Sequence, residues 1–64
     1  MSGRMLTPAE VAERVGVSTA TLRSWRWKKA GPAYVKVSAQ TVRYPEAELD
    51  AWLDSRRVAG AVDA

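Results

Sequence analysis

The stretch PAEVAERVGVSTATLRSWRW, Pro8 to Trp27, decides the fold. Its first half predicts a short helix. Thr7 offers a side-chain oxygen to the free amides at the helix start. Pro8 suits the first helical position because the N–H it lacks has no intrahelical partner there. Glu10 completes a capping-box pattern with Thr7, and Val11, Ala12 and Val15 form an apolar stripe at helical spacing. Gly16 stops this helix, since glycine enters the left-handed conformation without steric cost. After Val17, Ser18 is a good cap for a second helix running from about Thr19 to about Lys29, with Leu22 and Trp25 facing inward. Ala30-Gly31-Pro32 ends it. Small Ala12 lets the second helix approach the first closely.

Two short helices joined by a tight glycine turn form a helix-turn-helix pattern, whose second helix enters the DNA major groove. A helix of roughly 10–12 Å diameter fits a groove of about 12 Å width. On a helical wheel the face opposite Leu22 and Trp25 is Ala20, Arg23, Ser24 and Trp27, flanked by Thr19, Thr21, Arg26 and Lys28, with no acid among them. Arg23 can pair with O6 and N7 of guanine, Thr19 and Ser24 can reach phosphates or base edges, and Ala20 can touch a thymine methyl. Ser18 is first a cap, and the positive helix end it marks also suits a phosphate. Four residues have competing readings. Arg26 either contacts DNA or pairs with an acid of a third helix. Trp27 either folds over the hairpin and the 30–34 turn or packs against the DNA backbone. Lys28 and Lys29 either touch phosphates or are simply solvated.

Working outward, Tyr34-Val35-Lys36-Val37 and Thr41-Val42-Arg43-Tyr44 alternate around Ser38-Ala39-Gln40, which predicts a short β-hairpin. Val35 and Val37 share one side of their strand, as do Val42 and Tyr44 of theirs. Lys36 and Arg43, opposite in face to these neighbours, read as one electrostatic arm, a wing beside the reading helix. A third helix starts near Pro45 and buries Leu49, Trp52 and Leu53. Glu46, Glu48 and Asp50 suit its positive end and Arg56 and Arg57 its negative end, with Gly60 as the stop. Trp25 and Trp52 read as core. The fold class is mostly α with a small β-hairpin: residues 5–58 as the domain, 1–4 and 59–64 as flexible ends.

The charge distribution agrees with a polyanionic partner. Net charge is +3, but residues 1–43 hold eight basic and two acidic side chains, and Arg23 to Arg43 holds six basic residues and no acid. Such a stretch attracts a polyanion, although a basic face can also serve solubility alone. There is no Cys and no His, which excludes disulfides, thiol chemistry and nearly every zinc site. The 64 residues allow one domain. No apolar run approaches the roughly 18 residues of a membrane span, and the N-terminus lacks a signal-peptide pattern, so a cytoplasmic setting is expected.

Leu6-Thr7-Pro8-Ala9-Glu10-Val11-Ala12, Gly16-Val17-Ser18, Thr21-Leu22, Trp25, Gly31-Pro32, Val42-Arg43-Tyr44 and Leu49-Asp50-Ala51-Trp52-Leu53 together resemble the small winged-helix proteins related to the MerR DNA-binding domain. The short members of that group are phage excisionases (recombination directionality factors) and AlpA-like prophage regulators. The resemblance covers roughly residues 5–57. It implies that the second helix reads the major groove through Ser18, Thr19, Thr21, Arg23 and Arg26, and that a wing bearing Lys36 and Arg43 contacts the backbone or minor groove. Relatives often carry Gly and extra basic residues at the wing tip, where this chain has Ser38-Ala39-Gln40; a shallow minor-groove insertion follows.

Three classes of function can be compared on these residues. Catalysis is not expected: there is no His, Cys or metal cluster, and Glu46, Glu48 and Asp50 are accounted for by the helix dipole. No cofactor or small-molecule substrate is expected. A protein-interaction module built on Trp27 and the acidic third helix would show no salt-dependent DNA binding. Within DNA binding, a repressor usually dimerises, and here the third helix face is needed by the core. A module this small gains by binding as neighbouring copies on repeated sites. The expectation is therefore an excisionase that binds and bends double-stranded DNA cooperatively and directs a phage integrase toward excision, with a small transcriptional regulator as the alternative.

Overall fold

A computed structural model describes residues 3–57, so Met1, Ser2, the expected stop at Gly60 and the expected tail 59–64 lie outside the described residues. The elements in order are β1 (Met5–Leu6), α1 (Pro8–Val15), α2 (Thr19–Trp27), β2 (Val35–Ser38), β3 (Thr41–Pro45) and α3 (Glu46–Ser55). Three helices pack around a three-stranded antiparallel sheet ordered β1-β3-β2. This is a small winged helix-turn-helix.

Local signals set the first two helices as the sequence predicts. The Glu10 amide donates to Thr7 Oγ1 at 3.1 Å and the Thr7 amide donates to a Glu10 carboxylate oxygen at 2.8 Å, closing the capping box. Gly16 ends α1 with φ 88°, and its amide donates to the Ala12 carbonyl at 2.8 Å. Ser18 caps α2 by accepting from the Thr21 amide at 3.1 Å. The end of α2 comes earlier than expected: Lys28 is the cap and Lys29 has φ 57°, so the chain leaves the helix before Lys29 can join it. Gly31, at φ 81°, is where the chain passes the Trp25 ring; a Cβ there would lie 2.9 Å from a ring carbon.

The core is Leu6, Val11, Ala12, Leu22, Tyr44 and Leu49, all buried, with Val15, Val17, Trp25, Val42, Trp52 and Leu53 packed against it. Trp25 and Trp52 meet at 5.7 Å between ring centroids, which ties α2 to α3. The amphipathic pattern of each helix therefore buries the face that its spacing indicates.

The sheet departs from the expected two-stranded hairpin in three ways. First, Met5–Leu6 adds a strand, with Leu6 opposite Tyr44 and Met5 opposite Pro45. Arg4, expected in a frayed start, is tied down: the Glu46 amide donates to its carbonyl at 3.0 Å and its guanidinium lies 3.4 Å from Glu10. Second, the register pairs Val35 with Arg43 and Lys36 with Val42. Directly opposed residues share a face, so Lys36 emerges on the Val42–Tyr44 side and Arg43 on the other; they are not one arm. Third, a bulge between Lys36 and Ser38 breaks the alternation at Val37, so Val35 and Val37 do not form the core-facing side of a regular strand. All of β2 is exposed.

Glu10 gives the N-terminal cap a pH dependence. The Thr7 backbone hydrogen bond, with help from the Thr7 hydroxyl and Arg4, holds its carboxyl below the ordinary glutamate value. Between the folded and unfolded values the unfolded chain binds more protons, so stability rises with pH across that window. The contribution is complete above the unfolded value and is lost as pH falls through the folded one. Thermal melts over the acid range are expected to show this slope, reduced in Glu10→Gln.

Candidate nucleic-acid interface

The surface of α2 away from the core is fixed from beneath by Leu22, which is fully buried, and Trp25. Thr19, Ala20, Arg23, Trp27 and Lys28 are exposed, as is the cap Ser18; Thr21, Ser24 and Arg26 are half-buried. Thr21 is occupied locally, its hydroxyl 3.0 Å from that of Ser18. Trp27 is 86% exposed and covers neither the hairpin nor the 30–34 turn. The reason is angular: at ~100° per residue it lies about 170° from the midpoint of Leu22 and Trp25.

Between α2 and the wing lies an open cleft of about 540 Å³ lined by Arg23, Arg26, Tyr34, Lys36, Ala39, Gln40 and Val42. It brings together three of the basic residues singled out from the sequence. Arg43 is not among them. It lies half-buried on the opposite face of the ribbon, where its guanidinium donates to the Val42 carbonyl at 2.8 Å. Lys28 sits at the helix end, beyond the cleft.

Arg26 does not pair with an acid of α3. Its Nη1 donates to the Tyr44 hydroxyl at 2.7 Å, and its guanidinium lies 5.8 Å from the centroid of the Tyr34 ring. Three of the four α3 acids are engaged elsewhere: Arg14 lies 3.2 Å from Glu46 and 3.8 Å from Asp50, and Arg57 lies 3.2 Å from Asp54. Among the described residues, none of Arg23, Arg26, Lys28, Lys36 or Arg43 has an acidic partner. The molecule thus separates its charge, with paired ions on the α1–α3 side and unpaired cations along α2 and the wing. An unneutralised basic surface of this kind concentrates polyanions.

Sequence reasoning missed Tyr34 and Gln40, which line this cleft, and Tyr44, whose hydroxyl accepts from Arg26. Tyr34 lies ahead of a strand, Gln40 lies in its turn, and Tyr44 reads as core. Only the hairpin's register reveals that they border the basic side chains.

Among the described residues no helix is long and apolar enough to cross a membrane. No curated protein matches the chain. Residues 5–57, which span both helices, the sheet and α3, match the family model of the helix-turn-helix domain. DNA is the partner that such a domain indicates. The chain belongs to the helix-turn-helix domain family.

Proposed function

We propose that the protein is a MerR-like, sequence-specific binder of duplex DNA that acts as an excisionase: copies bind neighbouring sites, bend the DNA and shift an integrase from insertion toward excision. The role is stoichiometric, with no catalytic step. The observation that carries the DNA reading is the run of cations on α2 and the wing that no described acid neutralises. The N-terminal part of α2 faces the base edges, Arg23 reads guanine, and the wing lies along the backbone.

The architectural reading draws on a second feature. The outer sheet surface and the edge strand β2 expose Met5 (42%), Val35 (44%) and Val37 (61%). An edge strand with apolar side chains is a surface that adjacent copies can share. A lone module buries only about 600–1,000 Å² on DNA, so such contacts would add to its affinity on repeated sites.

The test uses a site selected from random duplexes and placed singly or in tandem. Cooperative binding to the tandem array and anomalous mobility in a circular-permutation gel are expected, along with more excision product when the protein is added to an integrase reaction. Tight binding to one site without bending would instead identify a transcriptional regulator. Arg23→Ala is expected to cost roughly 1–3 kcal/mol at the selected site and to relax base preference there. Equal loss on selected and random duplexes would remove the base-reading role from Arg23.

A further inference from the structure

Arg26 has surroundings unlike those of the other cleft cations. Its hydrogen-bond acceptor, the Tyr44 hydroxyl, stands on one of the most deeply buried side chains of the molecule. Its second neighbour, Tyr34, sits 6.0 Å from Tyr44 between ring centroids, tilted by 50°, so the two rings form a bracket for one guanidinium. A buried tyrosine hydroxyl needs a polar partner, and the partner it has here is a cation. A phenylalanine would fill the same core position without that requirement. The bond to Tyr44 uses one guanidinium N–H; the remaining donors have no partner among the described residues.

The geometry points to Tyr44 as a positioning residue: it presets Arg26 so that Arg26 and Lys36 form a ready-made seat for one phosphodiester of the duplex backbone, with Arg23 beside them on the base edges. The inference rests on the DNA reading above and adds to it which side chain prepares the site. The cleft holds three cations and no acid; an anion between them relieves their mutual repulsion. A guanidinium presents a planar fork that matches phosphate oxygens. A free arginine must lose rotamer freedom when it docks, and one already held by Tyr44 and Tyr34 has lost most of it on folding. Tyr44 touches no DNA in this arrangement. It acts through Arg26.

The experiment measures binding of a fluorescein-labelled duplex, carrying the selected site, to the wild type, Tyr44→Phe, Arg26→Ala and the double variant across a NaCl series. Thermal melts of each variant run in parallel. Arg26→Ala is expected to lower affinity and to reduce the salt slope by about one. Tyr44→Phe is expected to lower affinity about three- to tenfold with the salt slope unchanged, because the charge remains and only its preorganisation is lost. In the Arg26→Ala background Tyr44→Phe should have no further effect, an outcome that a merely structural role for Tyr44 would not produce. Tyr34→Leu, at the exposed side of the bracket, removes the stacking while keeping an apolar side chain against Tyr44 and should weaken binding about two- to fivefold in the same manner. The inference is overturned if Tyr44→Phe and Tyr34→Leu bind as tightly as the wild type, or if Tyr44→Phe costs as much without Arg26 as with it. Failure of the wild type to bind any duplex would instead remove the DNA reading on which the inference rests, and the inference with it.

Discussion

Raising NaCl from 50 to 200 mM is expected to weaken duplex binding by about 150-fold. Arg23, Arg26 and Lys36 line one cleft, with Lys28 at the end of α2 and Arg43 on the far face of the ribbon. With Arg23 on a base edge, the other four engage about four phosphates, so counterion release gives a slope of roughly −3.6 in log affinity against log salt, and a fourfold change in salt produces the loss stated. The sum of the chain's charge would not license this number, since a net +3 can be spread anywhere. The distribution does. Glu46 and Asp50 of α3 are held by Arg14, Asp54 by Arg57, and Glu10 by Arg4, on surfaces that the cleft does not include. Lys36→Ala should therefore lower the slope by about one, whereas Arg14→Ala, which removes a cation already paired with Glu46, should leave it nearly unchanged. A flat response in fluorescence anisotropy would exclude a phosphate-dominated interface and favour a protein-interaction surface built on Trp27.

What could be read from the sequence divides by range. Thr7 with Glu10, the stop at Gly16 and the cap at Ser18 act over three or four residues, and each appears in the structure as the local pattern predicts. The inward faces of α2 and α3 follow from helical periodicity for the same reason. The sheet is different. A two-residue strand such as Met5–Leu6 shows no alternation to detect, and its existence depends on Tyr44 and Pro45 nearly forty residues later. A one-residue bulge at Val37 changes which face every following side chain takes; for this reason Lys36 joins Arg23 and Arg26 while Arg43 does not. Trp27 was ambiguous in sequence because a large aromatic has a strong prior for burial. Helical angle alone would have placed it outward. Arg26 was ambiguous for the opposite reason: its partner is a tyrosine eighteen positions away, and no charge pattern points to it.

Leu22→Ala is expected to lower the melting temperature by roughly 10–30 °C and to populate unfolded chain at room temperature. Leu22 is fully buried in the one core cluster that also holds Leu6, Val11, Ala12, Tyr44 and Leu49. Truncating such a side chain removes its transfer free energy and leaves a cavity, together about 2–5 kcal/mol. A chain of this length has only about 3–10 kcal/mol to lose, and each kcal/mol shifts the midpoint of a small domain by about 4–8 °C. The effect on DNA binding should follow the fraction folded, because Leu22 sits directly beneath the face that carries Arg23 and sets the angle at which α2 leaves the protein. Trp27→Ala, on the same helix but 86% exposed, should leave the midpoint within a few degrees, as surface substitutions usually do. Any loss of DNA binding in that variant then reports a lost contact, not a lost fold. Equal destabilisation by the two substitutions would mean that α2 is seated the other way round, with its basic face against the core, and the DNA interface would have to be sought elsewhere.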